Sequence, residues 1–441
     1  MVKFDRTSEA ESALCLSGGG YRAALFHLGA IRRLNELGVL SRIAIVSSVS
    51  GGSILNGLLA GRWNSLIRDG GGVFQNFDEQ VGQPLRQFCA TDIRTNLIIG
   101  HRLNPVNWFA LANSLLSVSG NTLARSYQSL FGGTLLQALP SSGVTTPRFV
   151  FCATSMNTGA CWHFHSGPEG RMGDFYTGYA PTDDVSLAEA VAASSAFPLA
   201  FAPFLLYRSR MKEISRVDPW GQLRPLSGKR RTIEYETIHL TDGGVYDNLG
   251  VEPVWSFMST LLSSDGGLPF ESVATCPPYF VSRLQRAASI SNEQVGAVRK
   301  RWLIERFVAK ARRGALWAIN TNIEDYQLSS APGYGSEGRQ LLSGIRTDLN
   351  SFSEAEIACL ENHGYSLADA ALKSRAPQLL VKSIPEFVWP HPDWSADAKT
   401  IAALQNSASR HITRDIRNWL TGAFRRLDVR SRSSRSTDKA T

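Results

Sequence analysis

The stretches LCLSGGGYRA at residues 14–23 and IAIVSSVSGGS at residues 43–53 lie one helix-length apart near the start of the chain. Each is an apolar strand that runs into glycines and then into a helical pattern. In open α/β sheets, ligands bind at the carboxyl ends of such strands. The two stretches therefore predict an α/β fold with a site at one edge of its sheet.

The composition is that of an ordinary globular protein, with 441 residues, of which 43% are hydrophobic and 19% charged. This excludes a collagen-like chain or a disulfide scaffold. The six cysteines are scattered without CxxC pairs, and the first eleven residues have no apolar core, so a reducing, cytoplasmic location is expected. No nucleic-acid partner is expected, and the sequence predicts no particular oligomeric state.

The positive charge is concentrated in two basic segments, residues 299–313 and 410–441, each with a net charge of +6. Since the whole chain has a net charge of +8, the rest of the chain carries −4. Both segments have helical spacing, and the last dozen residues are predicted to be disordered. A basic amphipathic helix either contacts an anionic membrane or forms a solvated face of its own domain. Both alternatives stay open here.

The glycines at 18–20 precede a predicted helix over residues 21–37. A helix N-terminus has unpaired N–H groups and a positive dipole end, which suit a phosphate, a carboxylate or an oxyanion. The spacing Gly18-x-Gly20-x-x-Ala23 nearly fits a dinucleotide fingerprint, but the second strand ends in serines where that motif needs an acidic residue. His27, on the apolar face of the helix, is interpreted as core packing.

Ser50 follows the second strand and precedes a helix, which is the context of a nucleophile elbow. The sharp turn needs small residues two positions before and after the nucleophile, and Ser48 and Gly52 meet that need. The alternative is an ordinary helix N-cap by Ser50.

A carboxylate is predicted at a third strand end, where the strand over residues 235–240 delivers Asp242-Gly243-Gly244. The alternative is an Asx-turn that closes a loop. Asp265-Gly266-Gly267 has the same sequence and is a second candidate for this carboxylate.

Four further predictions concern the middle of the chain. Residues 148–154 form a buried strand, and Ser186 opens a helix over 187–195 with a capping box. Cys161, His163 and His165 alternate along a strand, but no further ligand completes a set, so no metal is expected. Residues 63–146 are an insertion that either folds over the site or provides plain helical packing, and the second is favoured slightly.

Three motifs now stand in one order: SGGGYR at 17–22, SVSGG at 48–52 and DGGVYDNLG at 242–250. In this order they resemble the patatin-like phospholipase family, in its bacterial-type branch, and the related cytosolic phospholipase A enzymes. Segments 153–159 and 192–198 are similar to further family segments, and 364–370 is a weaker echo. The likeness covers about residues 14–254.

The resemblance implies a three-layer α/β/α sheet and a Ser–Asp dyad without a catalytic histidine. Ser50 would be the nucleophile and Asp242 the base. The backbone N–H groups of Gly18, Gly19 and Gly20 would form the oxyanion hole, with Arg22 helping to fix that loop. Ser48 and Ser17 depart from the family's frequent Gly and Asp at those positions. Asp265 is not assigned as the base, because its motif lacks the continuation VYDNLG.

The sequence thus predicts a catalytic domain over residues 12–385, with the insertion, and a basic helical segment over 386–441. The predicted activity is hydrolysis of phospholipid or lysophospholipid carboxylic esters through an acyl-enzyme, without a cofactor. An aspartate is a weak base at its ordinary pKa of about 3.9, so it would need partial desolvation. The alternative function is a membrane-surface or nucleotide-responsive binding protein with a vestigial hydrolase site.

Overall fold

The computed structural model describes residues 12–93, 118–141, 146–198, 201–218, 235–270, 272–276, 279–381, 384–405 and 407. They form a mixed sheet with flanking helices, which confirms the predicted α/β class. The strands are β1 (Ser12–Leu16), β2 (Ile43–Val49), β3 (Val118–Ser119), β4 (Arg148–Ser155), β5 (Cys161–His165), β6 (Arg171–Asp174), β7 (Gly178–Pro181), β8 (Phe201–Ala202), β9 (Phe204–Tyr207), β10 (Thr237–Asp242), β11 (Thr260–Asp265) and β12 (Arg313–Ala318). The helices are α1 (Gly20–Glu36), α2 (Gly51–Arg62), α3 (Gln83–Cys89), α4 (Gly120–Phe131), α5 (Leu187–Ser195), α6 (Gly244–Asp247), α7 (Phe280–Val308), α8 (Ser336–Ser343), α9 (Glu354–Arg375) and α10 (Asp397–Leu404).

The main sheet has the order β12-β11-β1-β2-β4-β5-β6-β7. The five strands from β12 to β4 are parallel, and the pairs from β4 to β7 are antiparallel. Strand β10 pairs antiparallel with β4 and with β9. Strands β3 and β8 pair separately. The parallel part directs the carboxyl ends of β1, β2 and β11 to one edge.

Both faces of the sheet are covered, because alternate residues of each strand belong to different apolar clusters. Leu14 and Leu16 of β1 pack with α1, α2 and α9, whereas Ala13 and Cys15 pack with residues 249–258 and Leu303 of α7. Side chains alternate across a strand, so this division follows directly from the extended backbone. The result is the three-layer arrangement that the resemblance implied.

Helices α1 and α9 pack along each other on one face. Their interface holds a buried ion pair, in which Arg33 Nη2 lies 2.7 Å from Asp369 Oδ1. The weak family echo at residues 364–370 lies within α9, so these residues serve the packing of α1.

Most predicted elements are confirmed. Helix α1 and strand β4 match within one or two residues, and α5 begins with the capping box of Ser186 and Glu189. The helix predicted for the basic segment 299–313 is wrong at both ends: α7 begins at Phe280 and ends at Val308, and Arg313 already opens β12. The prediction rests on the cluster of basic residues, which begins only at Arg299, so it does not include the earlier turns of α7.

The described part of the insertion, residues 63–93 and 118–141 with 146, contains α3 and α4. Helix α4 packs against α5, with Tyr127 buried between them. Residues 94–117 and 142–145 lie outside the described part.

The C-terminal part of the described chain packs onto the same domain. The Tyr334 hydroxyl donates to the Trp394 carbonyl at 2.5 Å, and Thr400 and Leu404 of α10 are buried. The boundary after residue 385 stays a prediction, and the described residues show no break in packing there. The second basic segment, 410–441, and its predicted disordered tail lie outside the described residues. Among the helices that the structure describes, none is long and apolar enough to cross a membrane.

Candidate active site

The register of the sheet brings the ends of two strands together along β4. Val49, the last residue of β2, pairs with Cys152, while Asp242, the last residue of β10, pairs with Ala153. Strand β10 runs antiparallel to β4, so its carboxyl end points toward that of β2. Ser50 and Asp242, 192 positions apart in sequence, are thereby made neighbours.

Ser50 has a backbone conformation that L-residues rarely adopt, with φ 50° and ψ −119°. Such strain persists only where the surrounding structure fixes it, and it is concentrated at functional sites. Gly52 lies so close to β1 that a Cβ there would be 2.6 Å from the Leu16 carbonyl oxygen. The local geometry is that of a sharp strand–turn–helix elbow.

A buried hydroxyl network supports this elbow from behind. The Ser50 N–H donates to Ser194 Oγ at 3.0 Å, and Ser194 Oγ lies 2.8 Å from Ser53 Oγ. Ser48 Oγ is 2.9 Å from Ser53 Oγ and accepts from Asn56 Nδ2 at 2.8 Å. The serine at position 48, a departure from the family's glycine, is therefore part of the support of the turn.

Asp242 is buried beside the elbow, and its carboxylate interacts with the Ser50 side chain. The Gly244 N–H donates to Asp242 Oδ1 at 2.7 Å. Burial raises the pKa of Asp242 to about 6, although the interactions with Ser50 and with the Gly244 N–H act to lower it. A carboxylate with this pKa is a much better proton acceptor near neutral pH than an exposed aspartate.

The glycine turn at residues 18–20 lies on the same cavity, at the N-terminus of α1. The Gly18 N–H already donates to the Asn248 carbonyl at 3.1 Å, which differs from the predicted oxyanion role of that group. Among the described residues, the N–H groups of Gly19 and Gly20 have no protein acceptor. These two groups are available to an anion.

Gly51 is a donor that the sequence analysis did not include. It lines the cavity at the N-terminus of α2, and its N–H has no acceptor among the described residues. Its position directly after the nucleophile of an elbow was the signal that could have identified it, since that N–H is an oxyanion donor in α/β-hydrolases.

Arg22 is fully buried and fixes the neighbouring loop rather than the glycines themselves. Its guanidinium donates to the carbonyl of Gly266 at 2.8 Å and to that of Ile345 at 2.7 Å. The Gly266 carbonyl in turn packs against Gly19, where a Cβ would lie 2.7 Å from it. Arg22 therefore acts on the glycine turn through the loop that covers it.

His27 is a buried core histidine, as predicted. Its Nε2 is 3.0 Å from the Ser17 carbonyl and its Nδ1 is 2.7 Å from Ser264 Oγ. Burial lowers its pKa to about 4, so the ring is neutral near pH 7. The carbonyl can only accept, so Nε2 donates and Nδ1 accepts from the hydroxyl.

Asp265, the competing aspartate, lines the same cavity but has a different partner. Its carboxylate is 2.5 Å from Lys300 Nζ and accepts from the Gly267 N–H at 2.9 Å. The ion pair with Lys300 holds the pKa of this buried carboxyl below its ordinary value, even though burial itself acts to raise it. Of the two aspartates, Asp242 is the one whose carboxylate interacts with the Ser50 side chain.

Cys161, His163 and His165 lie on strand β5, as predicted. In the described part of the chain, no cluster of three or more His, Cys, Asp or Glu side chains has the geometry to hold a metal ion.

The cavity at these strand ends has a volume of about 440 Å³. Its polar wall is the glycine turn with Ser50 and Asp242, and its apolar wall includes Ile54, Phe201, Leu249 and Leu349. Helix α7 closes another side. No described residue of the insertion lines this cavity.

The first basic segment uses much of its charge inside the protein. Arg299 pairs with Glu252 at 2.8 Å, Lys300 pairs with Asp265, and Arg312 donates to the Trp255 carbonyl at 2.7 Å. These three cations hold α7 and the following turn against the domain.

Comparison with known proteins adds the family. Residues 14–255 match the model of the family described as patatin-like phospholipase, which is more than half of the chain. No curated protein sequence matches the chain. Human GIVD cytosolic phospholipase A2 is a structural neighbour at 12% identity and a TM-score of 0.42, with 91% of this chain and 61% of that chain covered. VipD from Legionella pneumophila is another, at 14% identity and a TM-score of 0.31, with 83% and 67% covered. The chain thus spans about three fifths of the length of the human enzyme.

Proposed function

Because the chain belongs to the patatin-like phospholipase family, we propose that it is a lipid acyl hydrolase that cleaves carboxylic esters of phospholipids or lysophospholipids. The observation that carries the proposal is the juxtaposition of the strained Ser50 and the buried Asp242, which line one cavity together with free backbone N–H groups. Nucleophile, base and oxyanion donors are the parts that ester hydrolysis by serine needs.

In the first half-reaction, Ser50 Oγ attacks the ester carbonyl carbon while Asp242 accepts the hydroxyl proton. The tetrahedral intermediate then expels the alcohol, which receives that proton from Asp242, and an acyl-enzyme remains. In the second half-reaction, Asp242 takes a proton from water as the water attacks the acyl-enzyme. The fatty acid leaves and the proton returns to Ser50, so neither cofactor nor metal is needed.

We propose Gly19, Gly20 and Gly51 as the donors to the oxyanion. Their N–H groups lie at the N-termini of α1 and α2, where the helix dipoles also favour negative charge. Removal of one such donor typically costs about 10²–10³ in turnover. Gly18 takes the indirect role of anchoring the turn through the Asn248 carbonyl.

The apolar wall of the cavity supports an acyl chain as the group bound next to the reacting ester. A cytoplasmic location with peripheral contact to an anionic membrane belongs to the same proposal, because the substrate class is found in bilayers.

The test is the intact mass of the protein after treatment with a fluorophosphonate probe. The expected result is one adduct on wild type, none on Ser50→Ala, and an adduct formed about 10²–10⁴ times more slowly on Asp242→Asn. Asp265→Asn is the matched control, since it changes the other aspartate of the same cavity, and Ser289→Ala removes another cavity hydroxyl. Both controls should label at close to the wild-type rate.

An adduct that survives Ser50→Ala, or equal rates for Asp242→Asn and Asp265→Asn, would refute the assignment. If no variant labels and none hydrolyses lysophospholipid, the site is vestigial. The alternative, a membrane-surface or nucleotide-responsive binding protein, would then be tested by binding to liposomes and nucleotides.

A further inference from the structure

Helix α7 lies across one side of the cavity and has polar residues on its inner face. Its cavity-lining residues recur every three or four positions: Arg286, Ser289, Asn292, Glu293, Gly296 and Lys300. This spacing places them on one side of an α-helix. The inner face of α7 is therefore defined by its contact with the cavity.

The opposite face of α7 is apolar and exposed. Phe280, Leu284, Val295 and Trp302, which we call the outer stripe, have exposed fractions of 72%, 60%, 40% and 54%. At 100° per residue they fall within about 60° of one another, on the side away from the cavity. The stripe is about 33 Å long at 1.5 Å per residue.

This distribution is the reverse of that in an ordinary surface helix, which faces solvent with polar residues. It is also concentrated: 11 of the 19 large apolar side chains that are exposed among the described residues lie between positions 268 and 308. Leu268 and Phe270, at the cavity wall, connect the two features. Such a concentration of exposed apolar side chains marks a binding face.

The charged side chains beside the outer stripe indicate which kind of partner it binds. Arg283 and Arg301 lie on one flank at helical spacing, Arg306 lies on the other, and all three are exposed. Glu305 is the only acidic residue on this side of α7. An apolar stripe flanked by arginines is the pattern of a helix that lies in the headgroup region of an anionic bilayer.

We propose that the outer stripe of α7 docks onto an anionic lipid surface and holds the mouth of the cavity beside it. This inference rests on the proposed function and deepens it by naming the surface that meets the lipid. With the stripe buried in the headgroup layer, the cavity is about one helix diameter, 10–12 Å, from the bilayer. Leu268 and Phe270 then provide an apolar path along the side of α7.

The test is flotation of the full chain with vesicles of phosphatidylcholine, with and without phosphatidylserine. We expect the double variant Phe280→Asp and Leu284→Asp to lower the partition onto phosphatidylserine vesicles by at least about tenfold, since two large apolar side chains lose their burial in lipid. Arg283→Glu with Arg301→Glu should remove most of the dependence on phosphatidylserine, at roughly fivefold or more per arginine.

The matched control is Ile67→Asp with Val388→Asp, which places the same two charges at sites of similar exposure, 65% and 64%, away from α7. The control should float like wild type. All variants should keep the wild-type rate on a short-chain soluble ester, because none of the substituted residues lines the cavity.

Two results would overturn the proposal. One is equal flotation of the stripe double variant and its control. The other is a wild-type dimer in sedimentation that the stripe variant converts to monomer, which would assign the stripe to contact between copies of the chain. Flotation does not require turnover, so a failure of the hydrolase proposal, read from the fluorophosphonate test, is distinguishable from a failure of this one.

Discussion

Asp242→Asn is expected to make the protein more stable at pH 8 while it removes the base of the proposed dyad. In the folded protein, burial raises the pKa of Asp242 from 3.8 to about 6. Because the pKa is higher in the folded state, the unfolded protein binds fewer protons than the folded protein at pH values between the two pKa values. The free energy of unfolding therefore falls as the pH rises through this range. Above pH 6 the ionised Asp242 therefore costs about 3 kcal/mol of folding free energy.

The isosteric amide removes this cost and keeps the local contacts. Its carbonyl oxygen still accepts from the Gly244 N–H, and its amino group can donate to Ser50 Oγ. For 441 residues, an unfolding entropy of ~2.1 cal/mol/K per residue makes 1 kcal/mol worth about 1 °C in Tm. Asp242→Asn should thus raise Tm by about 3 °C at pH 8, and the difference should shrink toward zero as the pH falls to the unfolded pKa of 3.8, below which both the folded and the unfolded protein hold the proton.

Asp265→Asn is the matched comparison with the opposite sign. The pKa of Asp265 is lowered by Lys300, so its charge stabilises the fold above the unfolded pKa and this contribution is lost as pH falls. Loss of that buried partner should lower Tm by about 1–3 °C at pH 8. The assay is thermal unfolding followed by tryptophan fluorescence from pH 4 to pH 8. A pH-independent effect of Asp242→Asn, or a lower Tm at pH 8, would refute the reasoning.

Three further outcomes are expected. The kcat/KM for a neutral ester should rise about tenfold per pH unit up to pH 6 and then level off, because ionised Asp242 is the base; a flat profile from pH 5 to 8 would contradict this. Gly19→Ala keeps the N–H, but its Cβ would lie 2.7 Å from the Gly266 carbonyl oxygen and displace the turn, so kcat should fall by about 10²–10³, whereas Gly70→Ala, on an open loop, should not lower it; steady-state kinetics separate the two, and equal values would exclude the glycine turn. Asp369→Ala should lower the free energy of unfolding in urea by about 3 kcal/mol, because it leaves Arg33 buried without its main partner. The control is Asp393→Ala, at an exposed position. Equal unfolding curves for the two variants would show that the ion pair is not stabilising.

The sequence by itself determined the parts of the site that depend on local structure. Glycines between a strand and a helix indicate a tight turn, as found before α1. Small residues around Ser50 are required wherever a strand turns sharply into a helix. The capping box of Ser186 is equally local. These motifs, in their order, also identified the family and its α/β class.

Only the tertiary structure decided which groups meet. The motif resemblance already favoured Asp242 over Asp265, but the contact of Asp242 with Ser50 depends on the antiparallel register of β10 on β4, and register over such separations has no local signal. The Gly18 N–H is occupied by the carbonyl of Asn248, 230 positions later, which no spacing in the glycine motif could reveal. The inverted polarity of α7 was hidden for the same reason. Mostly polar residues of α7 line the cavity and several of its large apolar side chains face outward, with the buried Leu303 as an exception, so apolar periodicity is a poor guide to the core there.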